Sequence, residues 1–233
     1  MVRGVAVRWL VRDPAAERRI RSRALAIGVS VVPFGLSFGA VSVEAHLTIV
    51  QTCLLSLVLF SGASQFALVS VIGSGGSIAS AVGTALVLGV RNGLYATRIN
   101  ALLRPRGWRK PLTAQFTIDE TTAMAIAEPE TGLSARAFWS TAAAVYVLWN
   151  VSTVVGAVAG TALGSPAAAG LDAAGPAAFT ALLAPRLTTR SMRLVALAAA
   201  VIAIGTVPFV PVGAPILIGG LAALSLLLRR RDR

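Results

Sequence analysis

The apolar positions of this chain fall in long runs, not in the alternation of a half-buried strand, and polar residues break the runs at a few places. Segments of the ~20 apolar residues that a helix needs to cross a bilayer recur. Alternating stretches of roughly 10 residues, the mark of an outer-membrane barrel, do not. The runs predict helices over 24–43, 47–72, 78–97, 137–163, 194–210 and 215–228, with shorter apolar pieces over 111–127 and 176–185. The fold class is all-α: a polytopic membrane protein with six or seven hydrophobic helical elements, some of them broken or re-entrant half-helices. A basic segment over 1–23 precedes the membrane domain of 24–228, and a basic tail over 229–233 closes the chain.

The interruptions carry more information than the runs. Within 47–72 the chain reads Ser61-Gly62-Ala63-Ser64-Gln65-Phe66. Hydrocarbon supplies no hydrogen bonds, so this polar stretch must be buried in protein or line a wet cavity. A break of this kind is where transporters hold cargo. In 24–43, Pro33 bends the helix, and Gly35 and Gly39 form a face that admits another helix closely. Gly83, Gly89, Gly156 and Gly160 are expected to serve close packing in the same way, and Gly73-Ser74-Gly75-Gly76-Ser77 reads as an uncharged turn. Glu44 and His46 fall in a short outer connection, 164–175 in an outer loop, and 194–228 folds as a hairpin around Pro208, Pro211, Gly213 and Pro215.

Composition sharpens the class. Hydrophobic residues make up 56% of the chain and charged ones 13%, at a mean hydropathy of +0.78, well above an ordinary soluble domain. The net charge of +12 comes from clusters beside the apolar runs, with no base-stacking aromatics interleaved, so a membrane surface explains it and nucleic acid does not. Arg98, Arg104, Arg106, Arg109 and Lys110 mark one cytoplasmic loop and Arg186, Arg190 and Arg193 another, and both termini are cytoplasmic by the same rule. Part of 1–23 is expected to lie on the membrane as a short interfacial helix. That basic start runs on with no small-residue cleavage site behind a short apolar region, so no cleavable signal peptide is expected. Three simple crossings from a cytoplasmic N-terminus would put the loop at 98–110 outside. The parity is restored if 47–72 enters the membrane and returns, or, as second choice, if 78–97 does.

Few residues inside these runs can carry chemistry. Arg91 lies within snorkelling reach of an interface, which suits an anchor or a structural ion pair. It equally suits a cation in a transport cavity that pairs with Asp119, Glu120 or a substrate carboxylate. Asp119 and Glu120 read either as capping and first-turn residues of a short helix or as carboxylates that take and release a proton. Ser61, Ser64 and Gln65 either bond helix to helix or flank a break whose free backbone groups suit a zwitterion. The single cysteine, Cys53, excludes an internal disulfide and fits packing. With one histidine and one cysteine, and no HExxH, GxSxG or phosphate loop, no enzyme, metal site or cofactor is indicated.

Pro33-Phe34-Gly35-Leu36-Ser37-Phe38-Gly39, Phe60-Ser61-Gly62-Ala63-Ser64-Gln65-Phe66-Ala67, Arg91-Asn92-Gly93-Leu94-Tyr95 and Asp119-Glu120-Thr121, in this order, resemble the AzlC family, the large subunit of LIV-E type branched-chain amino acid exporters. The resemblance covers about residues 24–228. Leu171-Asp172 with Pro176-Ala177-Ala178-Phe179 is similar to a later family element, although Ala173 and Ala174 replace bulkier residues. The resemblance implies a multi-pass transporter of the bacterial inner membrane that exports valine, leucine or isoleucine, and in some cases methionine, with a small AzlD-type membrane subunit as partner. On that reading Ser61, Gly62, Ser64, Gln65, Arg91 and Asn92 bind substrate, and Asp119 and Glu120 couple export to protons. The alternatives are a membrane scaffold that transports nothing and an exporter of another small solute.

Overall fold

In hydrocarbon each backbone N–H and C=O must find its partner within the protein, and a helix supplies these partners locally. The computed structural model describes residues 14–128, 131–162, 180, 183–184, 187–210 and 214–231, and all regular structure among them is helical. The order is α1 (Pro14–Ser30), α2 (Val32–Glu44), α3 (Ile49–Val58), α4 (Gly62–Gly73), α5 (Ile78–Leu103), α6 (Arg109–Gln115), α7 (Asp119–Ala127), α8 (Thr131–Ala162), α9 (Arg190–Thr206), a 3-10 turn (Val207–Phe209) and α10 (Ala214–Arg231). Among the described residues, four stretches are long and apolar enough to cross a membrane: Pro14–Glu44, Ile78–Leu103, Gly132–Ala162 and Arg190–Phe209. Large apolar side chains stand exposed at helical spacing, as at Leu86, Val90 and Leu94 or Val147, Val151 and Val154. These are stripes that lipid would cover.

Helix boundaries depart from the expected ones where polar residues extend a helix beyond its apolar run. α1 (Pro14–Ser30) carries the basic residues from Arg18 to Arg23 in the same helix as the apolar run, while Val5, Val7, Trp9 and Leu10, the apolar residues of the expected interfacial helix, lie outside the described residues. The chain breaks at Val31, two residues before Pro33, whose ring cannot follow a regular helical turn. α5 runs on to Leu103 and takes Arg98 into the helix; the turn that follows has positive φ at Arg104 and Gly107. α8 starts at Thr131 and includes Arg136. The piece at 111–127 is two helices, not one. The outer loop at 164–175, the element at 176–185 apart from residues 180, 183 and 184, Arg186, residues 1–13, 129–130 and 211–213 and the last two residues lie outside the described residues.

The chain forms two compact units, one of residues up to Pro33 with Val90–Val151, the other of Phe34–Gly89 with the residues from Ser152 on. In the first, Ile20 packs on Met124 and Ala137, and Ile99 on Ala125 and Phe138. The charged end of α1 is tied down by two carboxylates: Glu128, only 8% exposed, lies 3.4 Å from Arg19 and 3.9 Å from Arg23, and Glu17 pairs with Arg136. Burying Glu128 without these cations would cost far more than the pairs themselves gain.

In the second unit α2 lies directly on the later half of α8. A Cβ at Gly39 would fall on the Thr153 carbonyl oxygen and one at Gly156 on the Leu36 carbonyl, while one at Gly160 would lie 2.8 Å from the Val43 Cγ2 and 3.1 Å from the Ala40 Cα. Gly39, Gly156 and Gly160, expected to admit a neighbour, do so here. Gly83 does not, since a Cβ there would meet nothing within 4 Å, and Gly89 makes only an ordinary contact at 3.8 Å with the Ser64 Oγ. Phe38 and Phe66 meet edge to face at 5.6 Å, tying α2 to α4. α9 and α10 form the expected hairpin, with Gly219 set against the Ala199 carbonyl and the Ala203 methyl.

Candidate functional site

The break within 49–73 lies at Leu59, Phe60 and Ser61, slightly ahead of the glycine. Ending α3 there leaves its last carbonyls without intrahelical donors. The Gln65 side chain, wholly buried, supplies them: its Nε2 donates to the Leu59 oxygen at 2.5 Å and to the Ser56 oxygen at 3.3 Å. Ser61 is the N-cap of α4 in extended geometry, but its hydroxyl caps no N–H. It donates instead to Ser64 Oγ at 3.2 Å, and Ser64 Oγ donates to the Ala85 carbonyl of α5 at 3.0 Å. Gly62 is the first residue of α4, whose first-turn N–H groups have no intrahelical acceptor. The structure thus brings Ser61, Ser64 and Gln65 together, with their side chains bonded within the protein. What the break presents to an anion is backbone N–H at a helix start.

The other sequence candidates lie in the other compact unit. Arg91 Nη2 is 3.4 Å from Asp119 Oδ1, with the arginine side chain 34% and the aspartate 25% exposed. Asp119 is the first residue of α7 and Glu120 the second, where the helix dipole favours negative charge. The N-cap is not Asp119 but Ile118, in extended conformation. Thr121 does the capping from inside the helix: its Oγ1 accepts from the Ile118 N–H at 3.0 Å and donates to the Phe116 carbonyl at 2.7 Å. Thr113 and Thr117 hydroxyls likewise donate to the carbonyls of Arg109 and Thr113. Residues 116–118 therefore form a second break, with hydroxyls standing in for lost backbone donors. Its signal in the sequence is threonine at every fourth position, 113, 117 and 121.

Four buried side-chain atoms of this unit have no hydrogen-bond partner among the described residues: Arg91 Nε, Asn92 Oδ1, Thr122 Oγ1 and Thr141 Oγ1. Asn92 was a candidate from its motif, whereas nothing in the sequence marks Thr122 or Thr141. Among the described residues no group of three or more His, Cys, Asp or Glu is placed to hold a metal ion.

A family model described as AzlC protein matches residues 26–163. The chain is also similar to an uncharacterized membrane protein of Helicobacter pylori (strain ATCC 700392 / 26695), 26% identical over 129 residues that make up 54% of this chain and 57% of that protein. The match therefore spans little more than half the length of this relative. No solved structure matches.

Proposed function

The chain belongs to the AzlC family, and we propose that it is the large subunit of a secondary transporter that exports branched-chain amino acids, with methionine a further substrate, across the bacterial inner membrane. The observation that carries this reading is the coincidence of two things: the family match over 26–163 and helix breaks at 59–61 and 116–118 within it. Interrupted helices inside a membrane are tolerated where they serve a path.

On this reading Ser61, Gly62, Ser64, Gln65, Arg91 and Asn92 form the substrate-binding set. Asp119 and Glu120 exchange the coupling proton, and the Arg91–Asp119 pair links the two roles, since a proton on Asp119 releases the guanidinium. Apolar walls take the branched side chain. Both termini face the cytoplasm, where the arginine clusters meet anionic lipid, and a small AzlD-type subunit completes the transporter. In proteoliposomes holding both subunits, a pH gradient drives leucine flux in the wild type, and Asp119→Asn and Glu120→Gln, tested singly, each remove the dependence on the gradient. Unchanged proton-dependent flux in both variants takes the two carboxylates out of the mechanism. Absence of leucine binding and flux in the wild type leaves the scaffold reading.

A further inference from the structure

The side chains at the first break have spent their hydrogen bonds on the protein, whereas those near the Arg91–Asp119 pair have not. Thr141 is wholly buried and Thr122 is 5% exposed, and a threonine within a helix can normally turn its hydroxyl onto the carbonyl one turn back. Thr84 does this, donating to the Ser80 carbonyl at 2.9 Å, but Thr122 and Thr141 do not.

Packing places these residues on helices of one unit that touch. Ala125 of α7 lies by Phe138 of α8, and Phe116, just before α7, packs against the same cluster and meets the rings of both Trp139 and Tyr146, at 5.9 and 5.2 Å. Thr122, between Phe116 and Ala125, and Thr141, between Trp139 and Tyr146, belong to the stretches that these contacts join. Ile99 of α5 is part of the cluster, Asn92 lies seven residues before it on the same face of that helix, and Arg91 reaches Asp119 of α7. Buried polar atoms are nearly always bonded, and four unbonded ones on these helices, with an ion pair among them, point to a polar guest.

We propose that Arg91, Asn92, Thr122 and Thr141 hold the charged head group of the transported amino acid, a reading that rests on the transport function above and adds Thr122 and Thr141 to it. Arg91 Nε–H and the two threonine hydroxyls donate to the carboxylate, and Asn92 Oδ1 accepts from the ammonium. The set matches a zwitterion, which brings acceptors and donors together. Ser61, Ser64 and Gln65 then shape the break and leave the recognition of charge to this group.

The test uses the full chain with its small subunit in proteoliposomes and leucine as the probe. Thr122→Val and Thr141→Val keep the side-chain shape and remove the hydroxyl. Each is expected to raise the KM for leucine roughly tenfold, and Thr141→Ser, which restores a hydroxyl, to return it to within about twofold of wild type. Thr52→Val is the control, because Thr52 Oγ1 is also buried without a partner but belongs to the other unit; its KM stays at the wild-type value. Stabilisation of the purified protein by saturating leucine shrinks in the two valine variants, an effect a merely structural hydroxyl would not have. Wild-type KM in both variants, alongside normal wild-type transport, overturns this site, leaves the transport function standing and assigns the hydroxyls to an ordered water only. An equal rise in Thr52→Val also overturns it. A wild type that binds no member of an amino acid panel overturns the transport function and this site with it.

Discussion

At Gly39 and Gly156 the lack of a side chain lets two helices touch, because a Cβ at either position would occupy the place of a facing carbonyl. Gly39→Ala and Gly156→Ala should each destabilise the protein by about 1–3 kcal/mol, read as a lower unfolding temperature in detergent. Gly83→Ala, in open space, should be neutral or stabilising by up to ~1 kcal/mol. The sequence shows all three glycines on helices but cannot separate them, since each looks like a small residue on an apolar face and only the partner tells them apart. Gln65 makes the complementary case. Gln65→Leu removes the donor to the Leu59 and Ser56 carbonyls and should cost about 1–3 kcal/mol, whereas Gln65→Glu keeps the shape but sets a carboxylate against carbonyl oxygens and should be worse. Equal stability of Gln65→Leu and wild type in the same melting experiment would show that the break does not depend on this amide.

The two breaks differ in how plainly the sequence announces them. The first carries Ser61, Gly62 and Ser64 in the middle of an apolar run, and a polar cluster with a glycine can be read directly as an interruption. The second is Phe116-Thr117-Ile118, with no glycine or proline, and its bonding depends on the Thr117 and Thr121 hydroxyls, which would look equally ordinary in a continuous helix. α5 is an unbroken helix of 26 residues, about 39 Å long, whereas α3 with 10 and α4 with 12 reach about 15 and 18 Å, short of the ~30 Å hydrocarbon core. The segment that turns back is therefore expected to be 49–73 and not α5. With Cys53 replaced, single cysteines at Ser74 and Gly107 should label from opposite sides, Ser74 from outside and Gly107 from the cytoplasm. Labelling of both from one side would contradict this and place the return in α5. The ties of Glu128 to Arg19 and Arg23 were not legible, because the partners are far apart in sequence and each looks like a solvated charge.

For the molecule as a whole, hydropathy and charge made the class plain: a helical membrane protein with basic residues gathered beside its apolar runs. The division into two compact units was legible only at Pro33, beside the boundary between Pro33 and Phe34; the other two boundaries fall inside continuous helices, between Gly89 and Val90 and between Val151 and Ser152, where the apolar pattern does not change. The candidate site was legible only as far as its motif residues, Arg91, Asn92 and Asp119; the hydroxyls of Thr122 and Thr141 acquire meaning from burial without a partner. The proposed carrier transport of branched-chain amino acids is tested most directly by counterflow. Proteoliposomes of the chain with the proposed small subunit, loaded with unlabelled leucine, should accumulate labelled leucine transiently above equilibrium and should do so far less when loaded with glutamate or lysine. Labelled leucine that only equilibrates, at a rate independent of the internal load, or that fails to enter at all, would contradict it.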